Sequence, residues 1–169
     1  MQEAITEQPD APVIDQDTMH GMFLTFDLAG EGYGLEIRYV TEIIGIQKVA
    51  NVPDMPEFVI GVLNLRGKVI PIIDMRLRFN LPSREYDDRT CIVVININEN
   101  PVGLVVDQVR EVVDIADADI EPPPAVGGDC GSFIQGLGKM DGEVKILLNI
   151  AAMIADDGLE ENIAEMEVT

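Results

Sequence analysis

The stretch from Gly61 to Asp74 reads Gly-Val-Leu-Asn-Leu-Arg-Gly-Lys-Val-Ile-Pro-Ile-Ile-Asp, and it decides the fold. Two apolar runs flank Arg66-Gly67, a pair that is typical of a tight hairpin turn. Asp74 follows the second run directly and predicts the N-cap of a short helix over 75–79. The stretch therefore predicts a β-hairpin that leads into a helical turn, with Arg66 projecting at the tip.

Similar apolar runs outside this hairpin predict a protein that is mostly β. The further predicted strands are 23–28, 33–37, 91–97, 102–106, 134–140 and 144–148. Two groups of apolar residues recur at i, i+3 and i+4, and this spacing predicts two short helical pieces. These groups are Val40, Ile43 and Ile44, and then Val109, Val112 and Val113. The fold class predicted from the residues is thus all-β with short helices.

The second half of the chain repeats the pattern of the first half. A shift of 69 residues places Gly34 on Gly103, and a shift of 75 residues places Asp74 on Asn149, the predicted cap of the last helix. Each half alone has little core, so the repeat predicts two similar small barrels packed side by side. The approximate halves are 21–88 and 89–155, and exchange of strands between the barrels is left open.

The charge is strongly acidic and unevenly distributed. The 169 residues include 31 acidic and 11 basic residues, a net charge of −20, which argues against nucleic acid or an anionic membrane as the main partner. Residues 1–20 and 156–169 contain no Lys or Arg. We expect a disordered acidic tail over 1–20, a folded domain over 21–155, and a partly helical acidic tail over 156–169.

The sequence offers no basic and apolar leader and no apolar run long enough to cross a membrane. We therefore expect a cytoplasmic protein with no direct membrane insertion. His20 is the single histidine, and neither Cys91 nor Cys130 has a histidine or a second cysteine at ligand spacing. We accordingly expect no metal, no cofactor and no catalytic residue, so the remaining candidate function is an interaction surface.

Six of the eleven basic residues lie in one stretch of this acidic chain. They are Arg66, Lys68, Arg76, Arg78, Arg84 and Arg89. One interpretation is a solvated face balanced by neighbouring carboxylates, and the other is a docking surface for an acidic partner. Arg66 carries a forked donor that can bridge carboxylates or carbonyls at the turn.

The stretch from Gly61 to Arg76, together with residues 33–37, 40–43, 102–109 and 136–138, resembles the CheW family of bacterial chemotaxis. The resemblance spans about 21–155. It implies two five-stranded, SH3-like barrels around a shared apolar core and no enzymatic activity. It also implies an adaptor that bridges the cytoplasmic tip of a chemoreceptor to the regulatory domain of the histidine kinase CheA. Such an adaptor would be monomeric when free and would form rings with the kinase in membrane-associated receptor arrays.

The resemblance also assigns two sets of contact residues by matching positions. The receptor groove would lie between the barrels and use Val40, Glu42, Ile43, Arg66, Gly103 and Val112. The kinase contacts would use Val49, Val52 and Val126. Ile44 stands where many members have arginine, so partner preference is left open.

Exposure provides a first check on these assignments. We expect Val40, Ile43 and Val112 to be partly exposed and Val109 to belong to the core.

An adaptor in a pilus or other receptor-like pathway is the alternative function within the family. A small-ligand-binding β-barrel is the alternative from another class.

Overall fold

The computed structural model describes residues 20–123 and 133–156, which form eleven strands in two sheets and two short helices. The strands are β1 (Met22–Leu28), β2 (Glu31–Glu36), β3 (Val40–Gly45), β4 (Val59–Leu65), β5 (Lys68–Asp74), β6 (Cys91–Ile97), β7 (Asn100–Val106), β8 (Gln108–Asp114), β9 (Ile120–Glu121), β10 (Ile134–Met140) and β11 (Glu143–Leu148). The helices are α1 (Met75–Arg78) and α2 (Ile150–Asp156).

Each sheet contains strands from both halves of the chain. Sheet A has the order β8-β1-β2-β11-β10-β9, and sheet B has the order β3-β6-β7-β5-β4. The first hairpin, β1–β2, therefore lies among second-half strands, and the equivalent hairpin β6–β7 lies among first-half strands. This exchange of hairpins joins the two halves into one domain.

The register shows the internal duplication residue by residue. Ile72 pairs with Gly103 in the parallel β5–β7 ladder, and Leu147 pairs with Gly34 in the parallel β11–β2 ladder. The two pairs are related by the shifts of 75 and 69 residues found in the sequence. The predicted fold class, two SH3-like barrels related by internal duplication, is confirmed.

The hairpin turns repeat in the same way. Both central residues have positive φ at Ala29-Gly30, Arg66-Gly67, Asn98-Glu99 and Asp141-Gly142. This is the type I′ geometry, whose twist matches that of paired strands. The predicted turn at Arg66-Gly67 is therefore confirmed, and Asn64 Oδ1 accepts a hydrogen bond of 3.0 Å from the Gly67 N–H.

The two predicted helical pieces are wrong, because both segments are edge strands. Residues 40–45 form β3 on β6, and residues 108–114 form β8 on β1. Each pairing contains a register shift, next to Val40 in one ladder and next to Val109 in the other. A bulge adds one residue and changes the phase of the side-chain alternation, so apolar residues recur at helical spacing in an extended strand.

The described residues form three apolar clusters. One lies between the sheets and contains Leu24 and Phe26 of sheet A, Ile73 and Val93 of sheet B, and Met153 of α2. The other two clusters belong to single sheets. Sheet B contributes Leu63, Ile70, Ile72, Ile92, Val94 and Val105, whereas the smaller sheet A cluster has Phe23, Ile115 and Leu147.

Side-chain hydrogen bonds fix both helix starts. Asp74 Oδ1 accepts from the Arg76 and Leu77 N–H groups, and Asn149 Oδ1 accepts from the Ala152 N–H. Both predicted caps are therefore confirmed. Asp74 also accepts a 2.7 Å hydrogen bond from the Tyr86 hydroxyl, which anchors the connector after α1.

A largely buried ion pair between Arg76 and Asp107 ties α1 to the β1–β2 hairpin. Arg76 donates to both carboxylate oxygens of Asp107 at 2.8 and 2.7 Å, and Asp107 also accepts from the Ala29 N–H at 2.8 Å. Burial raises the pKa of Asp107, but the hydrogen bonds from Arg76 and Ala29 outweigh it and hold this pKa below its usual range.

The predicted tails, apart from His20 and Asp156, and residues 124–132 lie outside the described residues. Cys130 and the predicted kinase contact Val126 are among them. Within the described ranges, neither helix has the length and apolar character needed to cross a membrane.

Candidate protein-docking sites

Glu42 and Arg66 form a bidentate ion pair on sheet B. Arg66 Nη1 donates to Glu42 Oε2 at 2.5 Å, and Arg66 Nη2 donates to Glu42 Oε1 at 2.9 Å. Glu42 lies in edge strand β3 and Arg66 lies at the tip of the β4–β5 hairpin. The sheet therefore brings together two predicted receptor contacts that are 24 residues apart.

The ion pair stabilises both charged forms. The hydrogen bonds from the Arg66 guanidinium lower the pKa of Glu42 despite the opposing effect of desolvation, and the same contact raises the pKa of Arg66. The pair thus stays ionised below the pH at which an ordinary glutamate protonates. It presents a fixed guanidinium with further N–H donors directed at solvent.

A shallow cleft surrounds this pair, with Lys68, Leu65 and Pro101 among its lining residues. Aliphatic side chains are exposed on the adjoining strands: Ile43 is 42% exposed and Val69 is 37% exposed. Neither side chain lines the cleft, because side chains alternate along a strand and Glu42 and Lys68 point to the other face of sheet B. The two faces together offer charged donors and aliphatic groups, a combination that suits a protein segment with polar and apolar side chains.

The other predicted receptor contacts occupy different environments. Val112 is 46% exposed on edge strand β8, and Val40 is half-buried against the cluster between the sheets, so their expected partial exposure is confirmed. Val109 also packs against that cluster, as expected. Gly103 is buried, and a Cβ there would lie 2.6 Å from Ile72 Cδ1, so Gly103 is not brought to the surface.

The described kinase candidates lie between β3 and β4. Val49 and Val52 are half-buried, and Val49 packs against the sheet B cluster. Between them, Ala50 forms an isolated bridge with Val62. Ile44, the departure from the family pattern, packs against the same sheet B cluster.

The basic stretch is largely neutralised within the chain. Arg66 pairs with Glu42, Arg76 with Asp107, and Arg84 with Asp87. Arg78 lies over the rings of Phe133 and Phe58 at 4.4 and 5.2 Å. These contacts favour the interpretation of the basic stretch as a face that neighbouring carboxylates balance. Sequence reasoning did not identify Glu42 as the partner of Arg66 or Asp107 as the partner of Arg76.

Sequence reasoning also missed a second cleft, which lies on sheet A. Its lining includes Arg110, Glu111, Glu143, Val144 and Lys145. Several of these positions match the sheet B cleft under the repeat: Glu111 corresponds to Glu42, and Glu143 corresponds to Lys68. The repeat pattern could have located this cleft, but the acidic residues in it resemble ordinary surface charge.

No group of three or more His, Cys, Asp or Glu residues able to hold a metal ion occurs in the part of the chain that the structure describes. Two fused β-barrels that present an exposed bidentate ion pair and, on the other face of the same sheet, exposed aliphatic side chains define a protein-docking module.

The comparisons with known proteins agree with this class. Residues 22–158 match the family described as the CheW-like domain. The chemotaxis protein CheW of Klebsiella aerogenes is 34% identical over 152 residues, which are 88% of this chain and 92% of that protein. CheW of Bacillus subtilis is 32% identical over 132 residues, which are 78% of this chain and 85% of that protein.

A solved structure gives the same result. The scaffolding protein TtCheW from Thermoanaerobacter tengcongensis has a TM-score of 0.74 and 36% identity, and the match covers 79% of this chain and 92% of that one. The chain belongs to the CheW family, the scaffold or adaptor proteins of bacterial chemotaxis.

Proposed function

We propose that this chain is a non-enzymatic adaptor that couples the cytoplasmic tip of chemoreceptors to the regulatory domain of the histidine kinase CheA. In this role it works in the cytoplasm at membrane receptor arrays, monomeric when free and in rings with the kinase. The family membership supports the adaptor role. The observation that carries the proposal is the bidentate Glu42–Arg66 pair, whose guanidinium faces solvent.

The receptor contact centres on Arg66. Glu42 holds two of the guanidinium N–H groups, which fixes the plane of the guanidinium while its other donors remain available to a receptor helix. Ile43 and Val112 supply apolar contact, as in helix-in-groove recognition. Val40 contributes from its half-buried position, and buried Gly103 acts through packing.

A titration of a receptor-tip fragment against Arg66→Ala tests the receptor contact. We expect binding to weaken by about tenfold or more, the effect of losing one charge-assisted hydrogen bond. Lys139→Ala is the matched control, because Lys139 also forms an exposed ion pair, with Glu121, and lies on sheet A. Equal receptor affinity of Arg66→Ala and the wild type would refute the assignment.

The kinase contact uses the segment between β3 and β4, with Val49 and Val52, and a second patch at Val126. Val52 is half-buried and belongs to neither sheet, so a charge can be introduced there without opening the core. We expect Val52→Asp to weaken binding of the kinase regulatory domain by about tenfold while receptor binding is retained. Weaker receptor binding with unchanged kinase binding, or no loss of kinase binding, would show that the kinase contact lies elsewhere.

A pilus or other receptor-like pathway remains the alternative within the family. Titrations with the kinase and receptor encoded beside the gene for this chain decide between the pathways. A chemotaxis adaptor binds both the CheA regulatory domain and a chemoreceptor tip and shows no turnover of its own.

A further inference from the structure

The exposed aliphatic residues form two pairs related by the internal repeat. Among the residues that the structure describes, the exposed large hydrophobic side chains include Ile43 and its counterpart Val112, and Val69 and its counterpart Val144. Val144 is 54% exposed and lines the sheet A cleft. The exposed aliphatic positions of sheet B are therefore repeated on sheet A.

The charges of the two clefts are opposite in sign. The sheet B cleft is lined by one carboxylate, Glu42, and by the cations Arg66 and Lys68. The sheet A cleft is lined by more carboxylates than cations. Its carboxylates are Asp27, Glu31, Glu111 and Glu143, and its cations are Arg110 and Lys145.

The cations of the sheet A cleft are already paired. Arg110 Nε donates to Asp27 at 2.7 Å, and Lys145 Nζ lies 3.3 Å from Glu143. Within the described residues, neither Glu31 nor Glu111 has a cationic partner. The position that matches Arg66 is Asp141, so sheet A keeps the counterpart of Glu42 but has a carboxylate in place of the arginine.

We propose that the sheet A cleft is a second docking surface, which binds an arginine-bearing segment of a partner protein. The partner's guanidinium pairs with Glu111 as Arg66 pairs with Glu42, and an apolar side chain next to it packs on Val144. Charge complementarity selects the partner: a net negative cleft favours a cationic side chain, and a bidentate carboxylate pair favours arginine over lysine. This inference deepens the proposed adaptor function by adding a docking surface.

The test uses the full-length, ¹⁵N-labelled chain without kinase or receptor, so its outcome is independent of the test of the proposed function. The probe is a synthetic helical peptide of alanine and leucine with one arginine, and the control peptide has neutral citrulline at that position. We expect saturable amide shifts around Gly32, Glu111 and Val144 that weaken with salt, with binding of the citrulline peptide at least tenfold weaker.

Three variants and one control variant sharpen the assignment. Glu111→Gln removes the charge without changing shape, and we expect about tenfold weaker peptide binding, while Glu57→Gln on an exposed loop changes nothing. Val144→Ser weakens binding by a smaller factor. Arg66→Ala frees Glu42, so we expect a second set of shifts to appear on sheet B.

Several results would overturn the proposal. These are equal binding of the arginine and citrulline peptides, no loss with Glu111→Gln in a folded variant, or shifts confined to other surfaces. Binding of free argininamide as tightly as the peptide would define a small-ligand site and exclude a docking surface that also uses Val144.

Discussion

The sheet A and sheet B clefts have the same backbone arrangement and differ in the side chains that line them. Sheet B has Ile70, Val94 and Leu63 where the equivalent positions of sheet A are Lys145, Thr25 and Gly138. The sheet B cleft is accordingly small, about 250 Å³, and the sheet A cleft is larger, about 720 Å³, and mainly charged. Thr25 remains buried because its hydroxyl bonds to the Glu111 backbone carbonyl at 2.8 Å.

This difference shows how a duplicated fold can specialise. Pairing register, bulges and type I′ turns are common to both halves, since they depend on backbone hydrogen bonds and twist. Surface charge is free of those constraints, and the turn Arg66-Gly67-Lys68 has become Asp141-Gly142-Glu143 in the other half. One backbone therefore carries two surfaces of opposite charge.

The largest effect on stability is expected at the Arg76–Asp107 ion pair. The repeat places Ala151 and Arg38 at the equivalent positions of the other half, so this pair is not duplicated there. Asp107→Ala removes the acceptor of Arg76 and of the Ala29 N–H and leaves a guanidinium that is only 12% exposed without its carboxylate. We expect the free energy of unfolding to fall by about 2–3 kcal/mol. The matched variant is Arg38→Ala at the equivalent position, where we expect a change below about 0.5 kcal/mol. Equal losses in denaturant unfolding would show that this ion pair does not stabilise the packing of the sheets.

The next effect concerns Gly103 and Gly34, the glycines of the two parallel ladders. At Gly103 a Cβ would lie 2.6 Å from Ile72 Cδ1 and 2.9 Å from Ile92 Cγ2, whereas at Gly34 its nearest neighbour is Leu147 Cδ2 at 3.0 Å. We expect Gly103→Val to cost about 1–3 kcal/mol through overpacking and Gly34→Val to cost less. Thermal unfolding of both variants shows which substitution destabilises the protein more. A stable Gly103→Val that lost receptor binding would instead indicate a direct contact.

A smaller effect follows from exchanging the charges of the two turns. The double change Arg66→Asp and Lys68→Glu gives sheet B the turn sequence of sheet A, and both turns have the same type I′ geometry. We expect the melting temperature to change by less than about 3 °C, since exposed surface substitutions rarely alter stability. Receptor binding should fall at least as much as in Arg66→Ala. A large loss of stability would mean that the Glu42–Arg66 pair is needed for folding.

The smallest expected effect is the pH dependence of the stability that the Arg76–Asp107 ion pair contributes. The folded-state pKa of Asp107 is lowered, so its stabilisation is present at neutral pH and is lost as the pH falls through that lowered pKa, below the usual aspartate range. We therefore expect the difference in unfolding free energy between the wild type and Asp107→Asn to shrink from pH 7 to pH 3. A difference that grew toward acid pH would contradict the assigned direction.

Much of the fold was predictable because strands and turns leave local signals. The hairpin around Arg66-Gly67, the caps Asp74 and Asn149, and the repeat offsets all appear in the structure. The two edge strands β3 and β8 were not predictable as strands, because each contains a bulge that converts their alternation into helical spacing.

The candidate site was only partly predictable, for a different reason. Sequence reasoning named Glu42 and Arg66 separately, but their bidentate contact depends on the packing of β3 and the β4–β5 hairpin within sheet B. It also named Gly103 as a receptor contact, and the structure shows this residue buried next to the parallel β5–β7 ladder. The sheet A cleft was missed because its acidic residues, taken one by one in the sequence, resemble ordinary surface charge.

By itself, the sequence determined the β-rich class, the internal duplication, the capped turns and the family, since these depend on local propensity, periodicity and short-range motifs. The tertiary structure alone decided the exchange of hairpins between the sheets and the partners of Glu42 and Asp107. It also decided the opposite charge of the two clefts. These features arise from contacts between residues far apart in the chain, whose positions depend on the packing of both halves around one shared core.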